Sequence, residues 1–335
     1  MVNTTQPIRL AAGVLALAAS AALIGCGPTA YKITPVPAQE ELQETVVLTE
    51  GGLFPTKVAQ IEVDGLIVNS RKFSLWGEGE NPVSLFAEKL DKAAADLSVK
   101  AVVLRINSPG GGVTASDLMY GEVLNFKKRT GRPVVAVLMD VAASGGFYVA
   151  CSADEIVANP TTVTGSIGVI MQSVNFTGTM SKLGIATDAI TSGKMKDAGS
   201  PLRPMKPEER EIFQKLVNQF YDRFVAVVAA GRSKKLTEAK VRELADGRVY
   251  SAQQALELGF VDHVGSLKDA LARVKQRIGA KRVCVVAYQR PTDYKPNIYA
   301  ATPAPAPQVN LVNIQIPEAW SNPAPQFLYL WAPGQ

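Results

Sequence analysis

The residues best able to do chemistry lie in two loops of small side chains. The first loop, 107–112, reads Asn-Ser-Pro-Gly-Gly-Gly and follows an apolar run over 101–106. Consecutive glycines let the backbone turn sharply and present N–H groups to a ligand, and a following helix adds positive potential. The loop therefore suits an oxyanion hole or a phosphate cradle. It lacks the lysine of a Walker motif and the glycine spacing of a dinucleotide-binding fingerprint.

The second loop, 140–146, reads Asp-Val-Ala-Ala-Ser-Gly-Gly and also joins an apolar run to a small-residue stretch that is predicted to be helical. Ser144 would lie near the N-terminus of that helix, where neighbouring glycines and alanines leave room for a substrate backbone. Two interpretations are open from the residues alone. Ser144 is either a nucleophile or a serine that caps the helix, which is a common use of serine at this position.

A nucleophilic serine needs a base, and the sequence contains one histidine, His263. That histidine lies in a Gly-Phe-Val-Asp-His-Val-Gly segment that is typical of a turn between a helix and a strand, so we expect it to pack or face solvent. Lysine is the alternative base for serine enzymes, provided that desolvation lowers its affinity for the proton. Residues 191–200 offer Lys194 and Lys196, and residue type alone selects neither.

The elements that would position these loops alternate along the chain. Strands are predicted at 58–68, 101–106, 133–139, 155–158, 167–170 and 282–287. Helices are predicted at 82–96, 114–128, 142–150, 208–230, 237–244, 251–258 and 267–278. Apolar strands that alternate with helices predict a mostly parallel sheet covered on both faces, with the loops gathered at the carboxyl ends of the strands.

The N-terminus resembles a targeting segment. Arg9 precedes an apolar run over 10–24 that is short for a membrane span and suits a signal peptide. The run ends in Leu-Ile-Gly-Cys, which resembles a bacterial lipobox, so Cys26 is expected to become the lipid-bearing first residue. We therefore expect the protein in the cell envelope, anchored to a bacterial membrane with its folded domain outside the cytoplasm.

Charge and residue spacing indicate which partners and cofactors to expect. The net charge of +5 is scattered and charged residues form 19% of the chain, so no nucleic-acid partner is expected. No metal-ligand spacing is present and no cofactor is expected.

The chain beyond 290 is rich in proline and alanine but ends in the apolar pentad 327–331, which we predict to dock on the protein, in the substrate groove or at a subunit seam.

Four segments, in this order, resemble the motifs of the signal peptide peptidase A (protease IV) family. They are Asn107–Gly111, Ala143–Gly146, Thr164–Gly168 and Ser192–Asp197. The resemblance runs from about 58 to 267. It implies an α/β fold related to the Clp proteases and crotonases, built from repeated ββα units with a mostly parallel sheet.

The resemblance also implies roles for single residues. Ser144 matches the nucleophile, and Lys196 matches the general base. Ser166 matches a serine that orients the lysine amine. The backbone N–H of Gly111, with that of Gly112 as a second candidate, matches the oxyanion donor. The implied reaction is hydrolysis of remnant signal peptides and other apolar peptides at a membrane.

These features divide the chain into a lipoprotein signal peptide (1–25), a tether (26–56), a Ser-Lys peptidase domain (57–290) and the tail (291–335). The chain carries a single catalytic module rather than the double-length form, so we expect a homo-oligomeric ring. Two alternatives stay open at this point. One is a crotonase-like acyl-CoA enzyme that needs neither Ser144 nor Lys196, and the other is a lipoprotein scaffold of the same fold without turnover.

Overall fold

The computed structural model describes residues 41–52, 54–70, 73–74, 77–78, 80–290 and 326–331. Residues from Leu42 onward belong to one compact unit. The predicted signal peptide and Cys26 lie outside the described residues. Within them, none of the helices combines the length and the apolar character needed to cross a bilayer.

A mostly parallel sheet forms the centre of this unit. Across it the strands run in the order β1 (Gln43–Thr49), β13 (Val283–Gln289), β2 (Thr56–Asp64), β5 (Val99–Ser108), β7 (Val134–Ala143), β8 (Glu155–Ala158) and β12 (His263–Val264). The edge strand β1 is antiparallel to β13, and the other pairs along this path are parallel. Beside the end of β7 runs the parallel strand β9 (Val163–Gly165), which pairs in turn with β11 (Val249–Ser251). The predicted fold class, a mostly parallel α/β sheet, is confirmed.

Helices cover both faces of the sheet. They are α1 (Pro82–Ala95), α2 (Val113–Thr130), α3 (Gly145–Ala150), α4 (Thr177–Lys182), α5 (Pro207–Gly231), α6 (Glu238–Leu244), α7 (Ala252–Glu257) and α8 (Leu267–Ile278). Alternate residues of β5 point to opposite faces, so Leu104 packs in the larger core with α1, α2, α3 and α5, and Val103 packs in a second core with α8. Helix α8 fills that second core with a stripe spaced i, i+3, i+4, i+7. The stripe is Leu267, Ala270, Leu271 and Val274.

The sheet begins earlier in the chain than the sequence predicts. β1 lies within 26–56, the range assigned to a tether, and its residues pair with β13 from Gln43↔Gln289 to Thr49↔Cys284. The prediction of a tether is therefore wrong for 43–49. β1 contains the β-branched run Thr-Val-Val-Leu-Thr, which is typical of a strand, but it follows a stretch rich in proline that favoured a tether.

The predicted strand over 167–170 is also displaced. The chain instead forms β9 before this stretch and β10 (Ile170–Gln172) at its end, with irregular backbone over 166–169 between them. Separately, β3 (Phe73–Ser74) and β4 (Gly77–Glu78) pair as antiparallel strands.

A second sheet has three strands and includes the end of the chain. β14 (Gln326–Leu330) lies between β6 (Gly110–Gly112) and β10 and is antiparallel to both. The prediction that the apolar pentad docks on the protein is confirmed. Because β6 is the Gly-rich loop singled out from the sequence, the pentad lies against the residues expected to do chemistry.

The Gly-rich strand also lies very close to the chain that leaves β2. Ile67 forms a parallel bridge to Gly111, and a Cβ at Gly111 would lie 2.1 Å from the Ile67 carbonyl oxygen. A Cβ at Gly112 would meet nothing nearer than the Ala115 methyl group, at 3.7 Å. Two neighbouring glycines therefore differ sharply in their tolerance of a side chain.

We expect Gly111→Ala to lower the free energy of unfolding by about 1–3 kcal/mol, because the backbone of Ile67 must move away. The matched control Gly112→Ala should cost less than about 1 kcal/mol, since its methyl group enters ordinary contact distance. Urea unfolding of the two purified variants measures both values. Equal destabilisation by the two substitutions would contradict the close contact between the Ile67 carbonyl and Gly111.

Candidate active site

Ser144 lies at the sharp turn between β7 and α3. Its φ of +52° and ψ of −117° are rare for a residue with a side chain, so the turn is strained. The turn is held by a hydrogen bond from the Ser144 N–H to the Gly165 carbonyl, at 2.8 Å. Ser144 occupies the N-cap position of α3, but its side chain makes no capping hydrogen bond. The Ser144 hydroxyl therefore does not cap the helix, and it remains available for chemistry.

The glycines after Ser144 bring this turn against the Gly-rich strand. A Cβ at Gly145 would lie 3.1 Å from the Cα of Gly110, and a Cβ at Gly146 would lie 2.6 Å from the carbonyl oxygen of Ser108. The two loops identified from the sequence are thus in direct backbone contact. This contact requires glycine on both sides.

Ser108 and Ile67 orient the N–H groups of the Gly-rich strand. The Gly110 N–H donates to the Ser108 hydroxyl at 3.1 Å. The Gly112 N–H donates to the Ile67 carbonyl at 2.9 Å, and the Ile67 N–H donates to the Gly110 carbonyl at 2.9 Å. Gly112, expected as a second candidate oxyanion donor, is therefore removed from that role, because its N–H already donates a hydrogen bond to the Ile67 carbonyl.

The N–H of Gly111 points the other way, toward β14. The Trp331 N–H donates to the Pro109 carbonyl at 2.9 Å, and the register pairs Tyr329 with Gly111. Antiparallel pairs alternate between hydrogen-bonded and non-hydrogen-bonded, so the pair two residues from Trp331 is again hydrogen-bonded. The Gly111 N–H therefore faces the carbonyl oxygen of Tyr329.

That carbonyl lies beside Gly145, the residue that follows Ser144. The positions that a Cβ would take at Gly110 and at Gly145 are 1.9 Å and 3.1 Å from the Tyr329 carbonyl oxygen. The oxygen thus sits between the Gly-rich strand and the residue that follows Ser144. This is the arrangement in which a backbone N–H stabilises the charge that develops on a carbonyl oxygen under attack.

Ser166 lies at the same edge of the sheet. β7 and β9 are parallel with Ala143 opposite Gly165, so Ser144 and Ser166 follow directly paired residues, and their backbones are about 5 Å apart. Ser166 is buried, and it has a positive φ of +49° that is held by a hydrogen bond from its N–H to the Arg248 carbonyl at 2.8 Å. The structure therefore brings together Ser144, Gly111 and Ser166.

Lys196 is not part of this cluster within the described residues. It is exposed in the loop before α5, and the described residues give its amine no hydrogen bond to Ser144 or Ser166. The same loop leaves Lys194 exposed as well. In the part of one chain that the structure describes, neither lysine of this loop is hydrogen-bonded to Ser144.

The loop that carries Lys196 is nevertheless anchored. The Arg203 guanidinium donates to Asp197 at 2.6 Å and to Glu209, the third residue of α5, at 2.5 Å. Hydrogen bonding to Arg203 holds the pKa of both carboxyl groups below their ordinary values, so both stay charged near neutral pH. This ion-pair cluster was not predicted from the sequence, although its opposite charges recur at a spacing of six residues.

His263 is remote from the cluster. It lies in β12 at the level of Val157, which pairs with Val137 of β7, seven residues before Ser144. This separation is roughly 20 Å along the strand. The His263 Nε2 lies 3.0 Å from a carboxylate oxygen of Glu155, and the ring also contacts Arg273. The expectation of a packing or surface role for His263 is confirmed.

An open pocket of about 680 Å³ adjoins the cluster on the side where β14 ends, and Ser166, Ile170 and Trp331 are among the residues that line it. Among the residues that the structure describes, no group of three or more His, Cys, Asp or Glu side chains could hold a metal ion. The described site offers the Ser144 hydroxyl, backbone N–H groups and an extended peptide segment.

Comparisons with known proteins agree with this geometry. Residues 126–281 match Peptidase family S49. The chain is 36% identical over 255 residues to "Putative signal peptide peptidase SppA" of Enterococcus faecium, covering 76% of this chain and 72% of that protein.

Two longer relatives match over part of their length. "Protease 4" of Haemophilus influenzae is 33% identical over 228 residues, which are 68% of this chain and 36% of that protein. "Serine protease SPPA, chloroplastic" of Arabidopsis thaliana is 38% identical over 215 residues, which are 63% of this chain and 31% of that protein. The chain spans about a third of the length of these two proteins. On the strength of these matches, the chain belongs to peptidase family S49, with a fold of the Clp protease and crotonase type, and is a serine peptidase.

Proposed function

We propose that the protein cleaves remnant signal peptides and other apolar peptides with Ser144 as nucleophile and Lys196 as general base. One observation carries the proposal: an extended peptide segment, β14, lies along the Gly-rich strand with a carbonyl oxygen beside Gly145, the residue after Ser144. A substrate can bind in the same way, by taking the place of β14 between β6 and β10.

The reaction would proceed by acyl transfer. The neutral amine of Lys196 takes the proton of the Ser144 hydroxyl while the oxygen attacks the peptide carbonyl. The Gly111 N–H stabilises the resulting oxyanion, a contribution of about 3–4 kcal/mol where such donors have been removed from other enzymes. The protonated lysine then gives its proton to the leaving amine, and a water molecule activated by the same lysine hydrolyses the ester.

Lys196 would come from a neighbouring copy in a homo-oligomeric ring. A lysine amine must lose contact with water before it can accept a proton near neutral pH, and the exposed position of Lys196 in one chain does not provide this. A second copy that covers the loop would provide it, and closed symmetry would make all sites equivalent.

The surface around Lys196 supports such an interface. Five large apolar side chains are exposed over 183–202, a concentration that is unusual for a free surface. They are Leu183, Ile185, Ile190, Met195 and Leu202. Burying them against a neighbour would also carry Lys196 into that neighbour's site.

Membrane attachment through a lipid on Cys26 completes the proposal. The lipobox-like residues 23–26 support it, and they lie outside the described residues. An anchored peptidase in the cell envelope would meet signal peptides in the membrane where they remain after processing.

We expect Ser144→Ala and Lys196→Ala each to reduce peptide hydrolysis by at least about 1,000-fold without lowering thermal stability, because each removes one half of the reacting pair. Lys194→Ala and His263→Ala are the matched controls and should retain most of the activity. Hydrolysis of an apolar fluorogenic peptide measures all four variants. Substantial activity in Lys196→Ala would rule out the Ser-Lys pair.

Mixing two inactive variants tests whether the site is shared. Dissociated and reassembled rings of Ser144→Ala and Lys196→Ala should recover part of the wild-type activity, because some interfaces then join an intact serine to an intact lysine. Rings of either variant alone, treated in the same way, are the control. If co-assembled mixed rings are inactive, the pair forms within one chain.

Cys26→Ser should yield an unprocessed or non-lipidated protein, because a hydroxyl cannot take the place of the thiol in lipid attachment. Cys284→Ser, in β13, is the matched control and should leave the N-terminus unchanged. Mass spectrometry of the mature N-terminus distinguishes the two. An unmodified wild-type peptide that begins at another residue would disprove lipidation.

A further inference from the structure

Arg203 holds the residue that follows Lys196 at two points. Its Nε donates to the Asp197 carboxylate at 2.6 Å, and a terminal nitrogen donates to the Asp197 backbone carbonyl at 3.0 Å. The guanidinium therefore fixes the main chain of Asp197 as well as its side chain. Because consecutive Cα atoms are about 3.8 Å apart, this contact also limits where the Lys196 side chain can begin.

Arg203 is itself held by Glu209. Its two terminal nitrogens donate to the two carboxylate oxygens of Glu209, at 2.5 and 3.1 Å, and this paired geometry gives an arginine a fixed orientation. The Glu209 side chain is 0% exposed, and the Lys206 N–H donates to it at 3.2 Å. A carboxylate that has lost its water depends on such partners, so Glu209 and Arg203 hold each other in place.

Glu209 connects this contact to a rigid part of the fold. It lies in the first turn of α5, a helix of 25 residues whose later turns bury Phe224, Val225 and Val228 in the larger core. The segment before α5, 183–206, is described throughout and contains turns and bends but neither a helix nor a strand. The base therefore lies in an irregular segment, and the Glu209–Arg203 pair is its charged link to the helix.

Two weaker links hold the same segment from the other side. The Asn175 side-chain amide donates to the Arg203 carbonyl at 2.7 Å, and the Phe176 N–H donates to the Pro201 carbonyl at 2.8 Å. These contacts would survive the loss of the Glu209 charge. The segment that carries Lys196 would then shift rather than unfold.

A small shift matters for a general base. The amine has to lie within hydrogen-bond reach of the hydroxyl from which it takes the proton. In the proposed ring, Lys196 acts on the serine of the neighbouring copy, so its own chain must hold it in place before the two copies meet. A displacement of about 1 Å can cost about 100-fold in rate.

We propose that Glu209 is a positioning residue for the general base. Through Arg203 and Asp197 it sets the place of Lys196, and it therefore acts on the site of the neighbouring copy rather than on the serine of its own chain. The proposal rests on the proposed function and adds to it the residue that places the base.

Glu209→Gln tests the role while it keeps the size of the side chain. We expect kcat for an apolar fluorogenic peptide to fall about 10- to 100-fold, with KM changed by less than about 2-fold, because the base moves and the substrate groove does not. Glu208→Gln, an exposed acidic residue in the same turn of α5, is the matched control and should keep the wild-type kcat.

Asp197→Ala tests the other end of the link, at a half-buried position where a folding defect is not expected. One charge-assisted hydrogen bond is lost and the bond from Arg203 to the backbone carbonyl remains, so kcat should fall by about 3- to 10-fold. Asp188→Ala, in the exposed part of the same segment, is its matched control and should keep the wild-type kcat.

Mixed rings identify the site on which Glu209 acts. In rings of Ser144→Ala and Lys196→Ala chains, the first supplies the lysine and the second supplies the serine. Glu209→Gln placed in the Ser144→Ala chain should reduce the recovered activity about 10- to 100-fold, because that chain supplies the base. The same substitution in the Lys196→Ala chain is the control and should leave the recovered activity unchanged.

The outcomes separate this proposal from the function on which it rests. Wild-type kcat in both Glu209→Gln and Asp197→Ala, or a rise in KM alone, would overturn the positioning role and leave the Ser-Lys pair standing. Equal loss whichever chain of the mixed ring carries Glu209→Gln would also overturn it, since that result describes a general effect on the fold. If the unsubstituted protein cleaves no apolar peptide, the proposed function fails, and this proposal fails with it.

Discussion

The site depends on the backbone contact between two glycine-rich turns. Gly110 and Gly145 come from loops after different strands, and a side chain on either one would collide with the backbone of the other loop or of β14. This contact, together with a hydrogen bond from the Val141 N–H to the Asn107 side-chain oxygen at 3.2 Å, sets the Gly111 N–H near the turn at Ser144. A substrate carbonyl can then approach the serine and the N–H at the same time.

Strain accompanies this contact. Ser144 and Ser166 both have positive φ angles, and they follow residues that pair across adjacent parallel strands. Each turn is held by a backbone hydrogen bond, from Ser144 to Gly165 and from Ser166 to Arg248. Such conformations cost about 1–3 kcal/mol each and persist only where the surrounding fold enforces them. The buried, apolar strands β5 and β7 therefore form the framework that holds Ser144 in its strained backbone conformation.

The elements that could be predicted are those whose own residues show the pattern of a strand or a helix. β5, β7 and β8 are short β-branched runs, and α8 carries its apolar stripe in its spacing, so these elements agree with their predictions. Strand β1 carries the same signal in its Thr-Val-Val-Leu-Thr run, but the proline-rich stretch before it favoured a tether. Ser144 and Gly111 were identified by resemblance to family motifs, whereas their residue types alone left the choice between a nucleophile and a helix cap open.

The remainder of the site arises from contacts between distant segments. The choice between Gly111 and Gly112 depends on Ile67, more than forty residues earlier, whose carbonyl accepts the Gly112 N–H. No pattern near 110–112 carries that information. The aromatic cluster around Tyr329 likewise joins α3, α5 and β14, so it can be recognised only in the assembled structure.

The central claim is that Ser144 is the nucleophile of this site. A fluorophosphonate reacts covalently with an activated serine hydroxyl, and peptide mapping by mass spectrometry identifies the residue that carries it. We predict one adduct, on Ser144, in the assembled full-length protein, and its loss when the protein is unfolded before labelling. An adduct on Ser166 or on another serine, or active protein that carries no adduct, would contradict this account.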